Sequence, residues 1–346
     1  MIPVIIALFV CIAVLPLFVK FIERNVEIFL FIMGIVTAVV AGAMNLQNIS
    51  HIFENPFLYV ITAAVFFISL LFGILEKRLV LAVDFLVQHL RMRVIVFLIV
   101  VVLGLLSSII TAIIAALLLV EILSALPIGH ENKVQIGIVS CFSIGLGAAL
   151  TPIGEPLSTI VISKLHQNFF YLFYLLGGYC LVGILLLGLL AVVLMPANRA
   201  GKMNIKSDEV PEREREDVRS IGIRAGKIFL FVVGLDLLGL AFQPVINTYL
   251  IHWSNQLLYV VNVVSAILDN ATLAAAEVSP VMSVMQIKTI LISLLISGGM
   301  MVTGNIPNII VATKMKVSMR KWAVIGLPIG AVFLAGYAVV LFLIRV

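Results

Sequence analysis

Residues 147–164 read "GAALTPIGEPLSTIVISK". Two prolines, two glycines and a glutamate interrupt what would otherwise be an apolar helix. Proline removes a backbone donor and clashes with the preceding turn. Glycine permits the backbone angles of an unwound stretch. The reading is a helix broken into two halves whose ends face each other, with main-chain groups freed between them. The same punctuation returns at residues 298–314, "GGMMVTGNIPNIIVATK". One proline kink is ordinary in a membrane helix. Two at matching positions, each with Gly, Thr and a carboxylate or amide alongside, point to a site.

The surroundings are apolar. Of 346 residues 63% are hydrophobic and 11% charged, with a mean hydropathy of +1.25. A soluble fold of this length could not hide that surface. Runs of about 20 apolar residues recur, the length that crosses a roughly 30 Å hydrocarbon core. The short alternating strands of a membrane β-barrel are absent. Full spans are expected at 2–19, 26–44, 57–75, 134–166, 169–195, 226–245, 285–314 and 322–344. The first has neither a basic start nor a small-residue cleavage site, so it reads as a retained span. Cys11, Cys141 and Cys180 are scattered in apolar runs and read as small hydrophobes. No nucleophile–base pair, metal cluster or nucleotide motif points to an enzyme, and nothing points to nucleic acid.

Two apolar segments, 94–124 and 257–283, carry polar breaks, "GLLSSIITA" and "SAILDNATL". The halves flanking each break are about 13 residues long, too short to cross alone. If both segments return to the side they entered from, of 22 Lys and Arg only Lys164, Lys288 and Arg345 lie on the far side. If both cross, the eight basic residues of 196–227 move outside. The excess of Lys and Arg in cytoplasmic loops therefore favours two re-entrant hairpins, with both termini outside.

The order of segments then repeats. Residues 1–56 supply two scaffold spans. A first unit, 57–195, contains hairpin 94–124 and broken helix 134–166. A charged cytoplasmic linker, 196–225, leads to a second unit, 226–346, with hairpin 257–283 and broken helix 285–314. The hairpin tips align without gaps, "SSIITAIIAA" (107–116) against "SAILDNATLA" (265–274), which sets Thr111 opposite Asp269. Each unit crosses three times, so the second is inverted relative to the first. The expected fold is an all-α polytopic membrane protein built of inverted repeats, with two re-entrant hairpins and two broken transmembrane helices. That is a transporter architecture.

Charges at membrane depth are costly and are functional candidates by default. Asp269 lies at a hairpin tip and Glu155 in the first break. Asn270, Thr272, Asn305 and Asn308 add the neutral oxygens that hard cations prefer. Asp236, in "VVGLDLLGL", has no polar company in sequence and reads equally as a proton-path residue or a packing contact. Glu121 and Glu277, toward hairpin ends, read as structural. Asp84 and His89 suggest an interfacial amphipathic helix. Trp253 and Trp322 read as interface anchors.

"SAILDNAT" and "GGMMVTGNIPNIIVA" together resemble the hairpin tip and following broken helix of the ion transporter superfamily. This group includes NhaD-type sodium/proton antiporters, ArsB-type arsenite permeases and divalent-anion/sodium symporters. The likeness spans roughly 57–345 and is strongest to a compact branch of predicted cation transporters. It implies a cation site in which Asp269, Asn270 and Thr272 face Thr303, Gly304, Asn305 and Asn308. It implies a second, pseudo-symmetric site from Ser107, Ser108 and Thr111 with Thr151, Gly154, Glu155 and Ser158. The first tip lacks the Asp-Asn pair, so Glu155 would supply the charge there. The resemblance also implies a homodimer.

The expected function is sodium/proton antiport in the cell (inner) membrane. Sodium, or another monovalent cation, would bind at Asp269, Asn305 and Glu155, and no cofactor would be needed. The alternative is sodium-coupled symport of a small anion, or an arsenite-type permease. The lack of an Arg at membrane depth counts against an anion.

Overall fold

The computed structural model describes residues 2–23, 25–54, 58, 59, 62, 63, 66, 67, 70, 90–195, 218–267 and 270–344. Every regular element among them is a helix. Among the described residues four helices are long and apolar enough to cross a membrane: Met92–Ile110, Tyr171–Leu194, Arg219–Val245 and Met319–Ile344. The chain is thus a helical membrane protein by length and composition. The expected span 57–75 lies largely outside the described residues, and Asp269, residues 196–217 of the linker and the amphipathic helix suggested by Asp84 and His89 lie outside them.

α1 (Ile2–Phe18), α2 (Lys20–Glu23), α3 (Val26–Val40) and α4 (Leu46–Glu54) precede the core. α5 (Met92–Ile110) and α6 (Ala112–Ala125) meet at Thr111. α7 (His130–Ala148) and α8 (Pro156–Lys164) flank the first proline break, and α9 (Tyr171–Leu194) follows. α10 (Val218–Thr248) takes up the last eight residues expected in the linker. Buried Ile221 and Ala225 draw that stretch into the helix. α11 (Asn255–Val261) runs on as a tight turn through Ala266 before α12 (Asn270–Glu277). α13 (Val284–Met300) and α14 (Ile306–Lys314) flank the second break, and α15 (Met319–Val339) closes the fold.

α5, α7 and α9 pack together, as do α11, α13 and α15, and α7 meets α13 at the centre. Small residues and serines set these approaches, as is usual where helices gain nothing hydrophobic by leaving lipid. A Cβ on Gly147 would sit 1.7 Å from the Gly104 carbonyl oxygen. The Ser107 hydroxyl lies 2.6 Å from Gly104 O and 2.9 Å from Ile144 O, and Ser143 donates to Val100 O at 2.8 Å. In the other half Ser293 donates to Tyr259 O at 2.6 Å, and Ser297 to Asn262 O at 3.1 Å. The central contact is equally tight, since a Cβ on Gly299 would fall 2.4 Å from the Phe142 ring. Outside this core α3 lies along α10, with Gly34 and Gly234 at their closest approach.

Two expectations are corrected. The arms of the first hairpin are not equal: α6 has 14 residues but α5 has 19. The helix runs through Ser107 and Ser108 because both hydroxyls donate back to carbonyls of their own helix, at Gly104 and Leu105. The break is confined to the end of that polar stretch, at Thr111, whose φ of +73° no right-handed helix can hold. Trp322 is not an interface anchor. It is fully buried, and its indole donates to Gly299 O at 3.2 Å beside the second break. Trp253 is partly buried against the core.

Candidate functional site

The two proline breaks have one geometry. α8 and α14 are each nine residues long with proline in the first turn. The residue before each is extended, Glu155 at φ −154° and ψ 161°, Asn305 at φ −156° and ψ 151°. Two residues beyond the end of each half-helix the backbone turns to positive φ, at His166 (+50°) and Lys316 (+56°). The glycine before each cap is packed under the preceding helix. A Cβ on Gly154 would lie 2.0 Å from Ala148 O, and one on Gly304 2.5 Å from Gly298 O.

A side chain from each half-helix reaches back across its break. Ser158 donates to Ala148 O at 3.3 Å. Asn308 occupies the matching place and donates to both Gly298 O and Met301 O at 2.8 Å. Three carbonyls at the breaks, those of Ala148, Gly298 and Met301, are therefore already bonded. The Asn308 Oδ1 is buried and has no hydrogen-bond partner among the described residues. It is an oxygen available to a ligand.

The caps face one another. Asn305 Nδ2 donates to Glu155 Oε2 at 3.3 Å, joining residues 150 positions apart. Asn305 uses its own oxygen to accept from Ile306 N at 2.8 Å. Glu155 and Asn305 are 4% and 6% exposed, so the pair lies inside the protein. A carboxylate here sits at the N-terminal ends of two helices, whose positive partial charge favours it.

The first tip joins this centre through the main chain. The Ala112 amide donates to Gly154 O at 2.8 Å, and the Thr111 side chain caps α6 by accepting from Ile114 N at 3.4 Å. Thr151 donates to Ser108 O. Ser107, Ser108 and Ser158 spend their hydroxyls on carbonyls, and so serve packing in this structure. Thr303 lies partly exposed in the second break. Asn270 Nδ2 is buried and unpartnered among the described residues, near Gly298. Asp269 and the side chain of Thr272 lie outside what is described.

The arms of each hairpin divide between the two halves. Each tip stays with the break of its own half, but each second arm crosses over: α6 packs on α14 and α12 on α8. That crossing sets Glu155 against Asn305. It also gathers a second polar cluster that the sequence did not reveal. Asp236 accepts from Ser163 Oγ at 2.7 Å, and Lys164 Nζ donates to Ala275 O at 2.6 Å. The available signal was that Lys164, Asp236 and Glu277 each interrupt apolar sequence, and such charges seek one another.

Four apolar helices and two facing, proline-broken half-helices define a membrane protein with a buried polar centre. The chain belongs to a family described as "Protein of unknown function (DUF1646)", whose profile matches residues 2–344. No curated protein matches it.

Proposed function

We propose that the protein is a secondary active ion transporter that exchanges sodium, or another monovalent cation, for protons. The observation that carries this reading is the buried Glu155–Asn305 contact between the facing caps of two broken helices. A carboxylate there can be neutralised by a proton or by a cation, and Asn305 and Asn308 supply neutral oxygens close by. The matched lengths, caps and terminal turns of α8 and α14 support inverted repeats. The break at Thr111 supports a hairpin at 94–124, and from its sequence position opposite Thr111 we assign Asp269 as the second exchanging carboxylate. Multi-pass insertion in the cell membrane with both termini outside, and a homodimer, belong to the same proposal, as does the likeness to NhaD- and ArsB-type permeases. With the carbonyls of Ala148, Gly298 and Met301 already bonded, the side chains of Glu155, Asn305 and Asn308 carry the cation reading.

The second reading, sodium-coupled symport of a small anion, is favoured by one feature. Both half-helices present N-terminal ends to the centre, and such ends attract anions. Fluorescence of a pH dye inside proteoliposomes, followed after a sodium pulse with no other solute, separates the two. Antiport gives a pH change that is lost in Glu155→Gln and Asp269→Asn. No change with sodium, lithium or potassium over a range of pH sinks the antiport reading, and sodium-dependent uptake of an anion would replace it.

A further inference from the structure

The cluster at the far end of α8 is separate from the caps. Lys164 bonds the carbonyl of Ala275, in the last turn of α12. Final-turn carbonyls lack partners within their helix and carry negative partial charge, so an ammonium suits them. From α10, Asp236 takes the Ser163 hydroxyl and lies in electrostatic reach of Lys164. Glu277, the last residue of α12, lies in the same reach and is 9% exposed. Asn262 stands beside it. Asp236 Oδ2, Glu277 Oε2 and Ser279 Oγ have no hydrogen-bond partner among the described residues. Asp236, Lys164 and Ser279 open onto a cavity of about 110 Å³, whose wall includes His51 and Gln243.

One ammonium faces two carboxylates, so a negative charge is left without a partner. The packed elements bring few other ionisable groups. His51 on α4 reaches Asp236 and stacks edge-on with His166 at 5.7 Å between ring centroids. α3 brings Glu27, and α1 only the exposed Cys11. A metal cation would want the position that the Lys164 ammonium already fills, and would be repelled by it. We propose that Lys164, Asp236 and Glu277 form a second ionisable site, in which the ammonium serves two carboxylates and one of them carries an exchangeable proton that reaches water through the cavity beside His51. Ionisable groups coupled through a common partner titrate as a set and not one by one.

The test is a pH titration by infrared spectroscopy of the full-length protein in lipid, in buffers free of sodium and potassium. The protonated-carboxyl band should fall by one group in Asp236→Asn/Glu277→Gln and rise by one group near neutral pH in Lys164→Gln. A band unchanged in both variants overturns the proposal. Should those variants fail to fold, Ser163→Ala keeps all three charges. It should move the midpoint of the titrating band without changing its size, and an unmoved midpoint overturns the proposal equally. The readout needs neither sodium nor transport, so its failure is distinct from failure of the exchange reading.

Discussion

α8 and α14 share a backbone and differ in chemistry. Each is a nine-residue half-helix with an extended cap, a proline first turn and a positive-φ residue just beyond its end. Counting 150 residues on from the first, Glu155 becomes Asn305, Ser158 becomes Asn308, and His166 becomes Lys316. Lys164, set among acids, becomes Lys314, which is exposed. The same main chain is thus used once with charge and once with amides. The carboxylate and the amide meet only because the two caps face each other.

The largest effect that tests this division is on exchange. Glu155→Gln should abolish sodium-driven pH change in proteoliposomes, because the neutral amide can hold neither a proton nor a counter-charge. Asn305→Ala should reduce it, by removing one neutral ligand and the donor to Glu155. The swap Glu155→Asn with Asn305→Glu retains one acid and one amide across the contact, and should restore part of the activity. Full activity in Glu155→Gln would end the assignment.

Next come the two glycines. Alanine at Gly154 would place a Cβ 2.0 Å from a main-chain oxygen, and alanine at Gly304 2.5 Å from one. Backbone must move in both, at roughly 1–3 kcal/mol or more for forcing a methyl into a packed interior. Thermal unfolding in detergent should show both variants destabilised, Gly154→Ala the more. Equal stability with wild type would mean that the breaks are looser than their contacts indicate.

The carbonyl ties rank below these. Asn308→Ala strands two carbonyls that each accept at 2.8 Å, whereas Ser158→Ala strands one that accepts at 3.3 Å. A buried polar group left unsatisfied costs about 1–3 kcal/mol. Asn308→Ala should therefore lower the melting temperature clearly more than Ser158→Ala. A reversed order would remove the view that the amide half of the pair carries the structural load.

The sequence showed where the helices break and that the breaks match, because proline and glycine act locally. It misjudged the end of α5, since a serine looks like a break until its hydroxyl is found bonded to its own helix. It put Trp322 at an interface, since burial of that indole depends on α15 meeting the end of α13. The Glu155–Asn305 contact and the Lys164 cluster join residues 73 to 150 positions apart. No local pattern encodes them. They follow from α6 and α12 crossing to the opposite half-helix, which is decided by packing.

The smallest effect lies at the surface, where the halves are also tied unequally. Lys321, in the first turn of α15, donates to Glu131 Oε1 at 2.5 Å, in the first turn of α7. That hydrogen bond, with the lysine charge, holds the Glu131 carboxyl below its ordinary range. A carboxyl depressed in the folded state stabilises it above the unfolded value, and the contribution fades as pH falls through the folded one. Lys321→Ala should therefore lower the melting temperature slightly at neutral pH and not at all in acid, where Glu131 is protonated in both proteins. Added salt should shrink the neutral-pH difference, because an exposed pair is screened. A difference that persists in acid would assign the loss to packing of the lysine stem and not to its charge, leaving the two halves without an electrostatic tie at this edge.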